Sequence, residues 1–147
     1  MSTDMHPDFP IVSGDYVLTR GWRIQLDQEF NRRIDDGSLV LWRPELTFWI
    51  NVWNNEGRAN VDDVLSRLLA DASANRSNQQ LVKNGDMVRL TYELAEDDAE
   101  RDESGQTSIN GFIIYPSGYA QLAAYYDSPL ARQCAYDVIA SVRAQEQ

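Results

Sequence analysis

The stretch RPELTFWINVWNN, residues 43–55, reads as a β-strand with apolar side chains on both of its sides. Counting from Leu46, the even positions Leu46, Phe48, Ile50 and Val52 form an apolar row of period two. The odd positions Thr47, Trp49, Asn51 and Trp53 add two indoles on the reverse. One row must face a core. The other needs a cover too, whether a helix, a second subunit or a ligand, because large aromatic patches are seldom left in water. A sheet that is apolar on both faces over part of its area is the frame into which the rest of the chain has to fit.

The neighbouring segments share this two-sidedness. A symmetric turn at Pro44-Glu45 sets Leu41 opposite Phe48 and Leu39 opposite Ile50 on the core side. On the reverse it sets Val40 opposite Trp49, Trp42 opposite Thr47 and Ser38 opposite Asn51. Near the C-terminus, a turn through Pro116-Ser117-Gly118 that pairs Tyr115 with Tyr119 brings Phe112 against Leu122 and Ile114 against Ala120. Its reverse then has Ile109 opposite Tyr125 and Gly111 opposite Ala123. A slip of one residue would exchange these faces for one strand.

Residues 1–14 are polar and contain prolines, the pattern of a flexible tail, and a single domain is expected over residues 15–147. Short strands follow at DYVLT, WRIQL, FNRRI and SLVLWR, with Asp35-Asp36-Gly37 as turn material. Asn60 is placed to cap a helix over 61–74, whose stripe is Val61, Val64, Leu65, Leu68 and Ala72. A further strand pair turns at Asn84-Gly85, and Ser128-Pro129 opens a last helix with Leu130, Cys134, Val138, Ile139 and Val142 as its stripe. The expected fold class is α+β: an antiparallel sheet of roughly six to seven strands with both helices packed on it.

Charge narrows the choice of partner. With 13 basic and 23 acidic residues the formal charge is −10, which opposes nucleic acid and anionic membrane surfaces. No apolar run is long enough for a membrane span and no signal peptide is evident, so a cytoplasmic protein is expected. The single cysteine, Cys134, excludes an intrachain disulfide and suits a reducing compartment. The single histidine, His6, sits in the tail, so no Ser-His-Asp or Cys-His set can be assembled on a rigid frame. One His and one Cys supply no zinc site, and the glycines form no phosphate cradle. Cys134, on the helical stripe, reads as a small core hydrophobe. The acidic run from Glu96 to Glu103 lacks calcium-loop spacing and reads as a solvated hairpin loop. No catalytic residue, metal ligand or cofactor is singled out, and the chain is expected to be non-enzymatic.

What remains is the indole face. Trp42, Trp49 and Trp53, with Asn51, Val40 and Arg33, have the composition of an interface hot spot. This face is either a concave platform for another protein or ordinary core under a helix.

The early strand GWRIQL, the meander DDGSLVLWRPELTFWINVW, the helix at 61–74 and the terminal DVIASVRA resemble, over residues 15–144, the PsbP-like and DcrB-like α/β/α sandwiches. The resemblance implies a non-enzymatic binding or accessory protein. One branch, the effector-associated chaperones of bacterial type VI secretion, is similar in length and acidity and implies a homodimer holding an apolar segment of a secreted effector against the sheet. The expected function is thus a protein-binding chaperone or adaptor. The alternatives are an immunity-type protein meeting a basic toxin, or a small-molecule enzyme using carboxylates.

Overall fold

A computed structural model of the chain describes residues 7–19, 21–54, 60–72, 74, 76–95 and 107–144. His6 and the acidic stretch from Glu96 to Gly105 lie outside these residues. The strands are β1 (Ile11–Thr19), β2 (Trp22–Asp35), β3 (Ser38–Arg43), β4 (Leu46–Asn54), β5 (Ser77–Asn84), β6 (Met87–Ala95), β7 (Thr107–Tyr115), β8 (Gly118–Tyr126) and β9 (Arg143–Ala144), and the helices are α1 (Val61–Asp71) and α2 (Pro129–Ser141). All the strand pairs are antiparallel, in the order β1-β2-β3-β4-β8-β7-β6-β5, with β9 added to β2.

This architecture corrects the expected α+β sandwich. Strand predominates among the described residues, and the two helices there have only 11 and 13 residues. The molecule is a nine-stranded, largely antiparallel sheet among the described residues, and strand rather than helix supplies much of its second layer. The physical reason lies in β2. WRIQL and FNRRI are one strand of 14 residues, interrupted where Asp27, Gln28 and Glu29 are all exposed. Pairing with β1 jumps there, from Gly14 opposite Leu26 to Val12 opposite Phe30. Extra residues on one strand bend it. Arg43 braces the bend by donating to the Glu29 carbonyl at 2.8 Å.

Past the bend, the two halves of β2 have different neighbours. Residues 31–35 pair with β3, whereas Trp22 and Arg23 pair with β9. The first half folds over the sheet: the Trp22 ring meets that of Tyr115, on β7, edge-on at 5.5 Å. Trp22, Ile24 and Leu26 thereby join Phe48, Ile50, Ile113, Leu122 and the α2 residues Ala135, Val138 and Ile139 in one buried cluster. Helix α1 lies on the opposite face, where Val64 and Leu65 close a smaller cluster with Leu90, Tyr92, Phe112 and Ile114. No helix among the described residues is long and apolar enough to cross a membrane.

Local signals act much as their chemistry requires. Asn60 caps α1, its side-chain oxygen accepting from the Asp63 amide at 2.7 Å, and Ser128 caps α2 by accepting from the Ala131 amide at 3.1 Å. The β3–β4 register follows from a symmetric turn, with Leu41 opposite Phe48 and Val40 opposite Trp49, and Glu45 takes the left-handed position (φ 71°). Other expectations are corrected. Phe9 and Pro10 are docked on the sheet and β1 begins at Ile11, inside the stretch read as a tail. On α2 the buried positions are Ala131, Ala135, Val138 and Ile139, while Leu130 is 84% exposed and Cys134 only partly buried. The β7–β8 turn holds two residues instead of three, so Tyr115 pairs with Gly118 and Gly111 with Leu122. That one-residue shift puts Ile109, Gly111 and Ile113 on the α2 side and Phe112 and Ile114 on the α1 side.

Gly111 shows how closely α2 seats. A Cβ built there would lie 2.8 Å from Ile139 Cγ2, nearer than real atoms pack, and Ile139 is 1% exposed and has little room to move. Gly111→Ala is expected to destabilise the fold by about 1–3 kcal/mol through overpacking. Urea denaturation of Gly111→Ala, Ile139→Ala and the double variant tests this. The double variant should be more stable than the sum of the two single losses allows.

Candidate functional site

Pairing across β2, β3, β4 and β8 decides which side chains share the face away from α2. Arg33, Val40, Trp49 and Ala123 form one cross-strand row, and Asn31, Trp42, Thr47 and Tyr125 the next. Trp53 pairs with Tyr119, their rings 5.0 Å apart and tilted by 31°. All six residues singled out by sequence, Arg33, Val40, Trp42, Trp49, Asn51 and Trp53, therefore lie on one face. Because the sheet folds over its other side, this face is the outer side of the curl and not a concave one.

Its cover is mostly local. The Arg33 guanidinium lies 4.9 Å from the Trp42 ring centre and 5.9 Å from that of Trp49, a cation held over two indoles, and it pairs with Asp35 at 3.4 Å. From the N-terminal side, Phe9 meets Trp42 edge-on at 5.1 Å. Buried Asn31 fastens that segment by donating to the Phe9 carbonyl at 3.1 Å. Ser38 Oγ donates to Asn51 Oδ1 at 3.0 Å. Val40 is fully buried beneath this layer and supports it without presenting a surface, whereas Trp53 is 41% exposed and Trp42, Trp49 and Asn51 are half-buried. Helix α1 packs further along, on β6 and β7, where its cluster is joined by Tyr119. Among the described residues, Trp42 and Trp49 are thus covered by an arginine, Trp42 also by a short docked segment, and Trp53 leans on Tyr119.

A second feature is a shallow cavity of about 240 Å³ whose lining includes Leu18, Ile34, Leu39, Ile50 and Val52. It opens beside the β2–β3 turn, where Ile34 is 60% exposed, and its lining carries no ionisable side chain.

The polar cluster that sequence reasoning missed is centred on Glu93 of β6, which is 5% exposed. Its Oε2 accepts from Arg132 at 2.5 Å and from the Tyr136 hydroxyl, and its Oε1 accepts from Tyr126 at 3.4 Å. Burial alone would raise the Glu93 pKa, but hydrogen bonds from Tyr136 and Arg132, with the Arg132 charge, outweigh it and leave the carboxyl below its ordinary value. Burial, with Glu93 as hydrogen-bond acceptor, pushes the Tyr136 phenol well above its ordinary range. Both carboxylate oxygens are engaged, so the cluster acts as a strut between β6 and the first turns of α2. The sequence offered one faint signal, an acid inside the strand MVRLTYELA, but alternation alone assigns that side to water. Among the described residues no group of three or more His, Cys, Asp or Glu side chains is arranged to hold a metal ion.

No family model matches the chain, and no curated protein matches it. Among solved structures, it is similar to a crystal structure from Bacteroides thetaiotaomicron VPI-5482, with a TM-score of 0.59 and 18% identity. The match covers 92% of this chain and 50% of that one, so the chain spans half the length of the protein it resembles. At that identity the likeness concerns the fold alone.

The strut has a definite pH signature. A carboxyl whose folded pKa is depressed stabilises the fold above its unfolded value, about 4.3 for glutamate, and that contribution is lost as pH falls through the lower folded value. Glu93→Gln is expected to cost about 1–2 kcal/mol at pH 7, the lower part of the range for hydrogen bonds to a charged group because Arg132 is 41% exposed and rehydrates. Thermal unfolding from neutral pH down to acid checks both points. Stability of Glu93→Gln should fall less steeply below pH about 4.3 than that of the unaltered chain.

Proposed function

We propose that this protein is a non-catalytic binding module, working in the cytoplasm as a chaperone or adaptor that holds an apolar segment of another protein. The observation that carries this reading is the outer indole face. Trp49 and Trp53 stand on a central strand with no helix over them among the described residues, Trp49 lightly covered by Arg33 and Trp53 beside Tyr119. Rigid indoles next to arginine and an amide are the side chains that dominate protein interfaces when they are desolvated. The formal charge of −10 favours a segment flanked by Lys or Arg, since complementary potentials speed encounter and select partners. A thiol such as Cys134, partly buried and with its pKa raised by burial, suits a reducing compartment. An adaptor of the kind that carries effectors for type VI secretion, as the sequence resemblance implies, fits these features.

The test is titration with a labelled apolar peptide flanked by arginines, followed by tryptophan fluorescence. Trp49→Ala or Trp53→Ala is expected to weaken binding by about 2 kcal/mol or more, some thirtyfold, as loss of an anchor residue does. Trp53→Ala should leave the urea midpoint nearly unchanged, because that indole is 41% exposed. Unaltered peptide affinity in both variants would remove the indole face from consideration.

A further inference from the structure

Among the described residues the main strand path ends at β1 and at β5, and these two ends are built differently. At β1 the ladder to β2 is broken between Val12 and Gly14 and again between Val17 and Thr19, with Gly14 at φ 74°. Asp15 in the same strand is tied to Arg23 at 2.8 Å and Arg143 at 3.1 Å. Bulges and charges of this kind keep an edge from adding another strand. At β5 such protection is confined to the irregular start, where Asn78 takes φ 53°, and to one lysine. All eight residues, Ser77–Asn84, are exposed, so the strand extends beyond the cover of either helix. Its pairing with β6 is irregular only between Ser77 and Gln80, and from Gln80 to Asn84 it runs in continuous register. Leu81 is 44% exposed and Val82 on the reverse 39%, with Lys83 as the one charged side chain in the strand.

The register shows what would complete this edge. Leu81 pairs with Leu90 and Leu90 with Phe112, so Leu81 is the outermost member of an apolar row that begins in the α1 cluster. We infer that β5 is a self-pairing edge, at which a second copy of the chain adds its own β5 antiparallel about a two-fold axis through Leu81. The two Leu81 side chains then meet and the apolar row runs unbroken from one sheet into the other. About Leu81 the continuous part of the strand sets Val82 of one copy opposite Gln80 of the other, and Lys83 falls against the irregular start of the partner strand, so no like charges are opposed. Of the strand's other amides, Asn78 and Gln79 are engaged within the chain, with Glu93 and, at 2.6 Å, with Arg76, while Gln80 and Asn84 are each both donor and acceptor along the edge. Isologous contact of this kind closes at two subunits.

An eight-residue edge buries little area, which places the dimer among weak interfaces, with a Kd on the order of 100 μM. Two chains of charge −10 repel at long range, so association strengthens as salt screens them. This inference is independent of the indole face, which lies several strands away, and the test separates the two.

Sedimentation equilibrium from about 10 to 500 μM should show a monomer–dimer equilibrium that tightens with salt. Amide hydrogen exchange in β5 should slow as concentration rises. Leu81→Lys, which sets two ammonium groups opposite each other at an exposed position, should weaken the dimer at least tenfold, and Trp49→Ala should not. The inference is overturned by a monomer throughout with β5 exchange independent of concentration. It is equally overturned by a dimer that survives Leu81→Lys but is lost in Trp49→Ala, or by β5 protection that arises only when an extended peptide is added to a monomer.

Discussion

The buried layer between the first half of β2, helix α2 and the inner face of the sheet is the interaction on which the other features rest. Ile24, Leu26, Phe48, Ile113 and Leu122 are at most 1% exposed there, and each side chain of that size contributes about 1.5–3 kcal/mol when removed from water. The layer forms only because β2 bends at Asp27–Glu29 and carries Trp22 across to Tyr115. A straight β2 would leave Trp22 and Ile24 in water and the inner face half uncovered. By rolling the sheet toward α2, the bend also turns the opposite surface outward. That is why Trp42, Trp49 and Trp53 sit on an outer face, where Arg33 and Phe9 close over Trp42, Arg33 over Trp49, and Trp53 stays partly open.

Helix α2 is held against this layer at both ends. Near its start, Glu93 accepts from Arg132 and Tyr136. After its end, β9 pairs with Trp22 and Arg23, and Ser141 Oγ accepts from the Gln25 amide at 2.9 Å. Between these points Ile139 fills the space left by the missing side chain of Gly111. The surface network of Asp15 with Arg23 and Arg143 adds little to stability, since its members are 33–46% exposed and pairs of that kind are worth at most about 1 kcal/mol. Its use is positional: it pins β1 and β9 to the bent half of β2 and leaves β1 unsuited to further pairing.

The two surfaces proposed for partners are therefore separate in kind as well as place. The indole face presents side chains on a central strand, the chemistry of apolar and cation–π contact. The β5 edge presents main-chain groups, the chemistry of strand pairing. The two do not overlap, because β5 and β4 are separated by β6, β7 and β8.

Sequence by itself determined the features that depend on near neighbours. The symmetric Pro44-Glu45 turn dictated the β3–β4 register and hence the grouping of Val40, Trp42, Trp49, Asn51 and Trp53 on one face, because alternation along a strand is a local property. Caps at Asn60 and Ser128 were legible for the same reason. Tertiary structure decided the direction in which β2 bends, and with it a sheet-dominated fold in place of the expected helix-covered sandwich. It also decided the two-residue turn at Pro116-Ser117, the docking of Phe9 on Trp42 and the burial of Glu93. These depend on contacts between residues far apart in the chain, such as Tyr136 with Glu93 across 43 positions. No local pattern encodes such a contact, since a carboxylate in a strand reads as solvent-facing until the helix that supplies its partners has been placed over it.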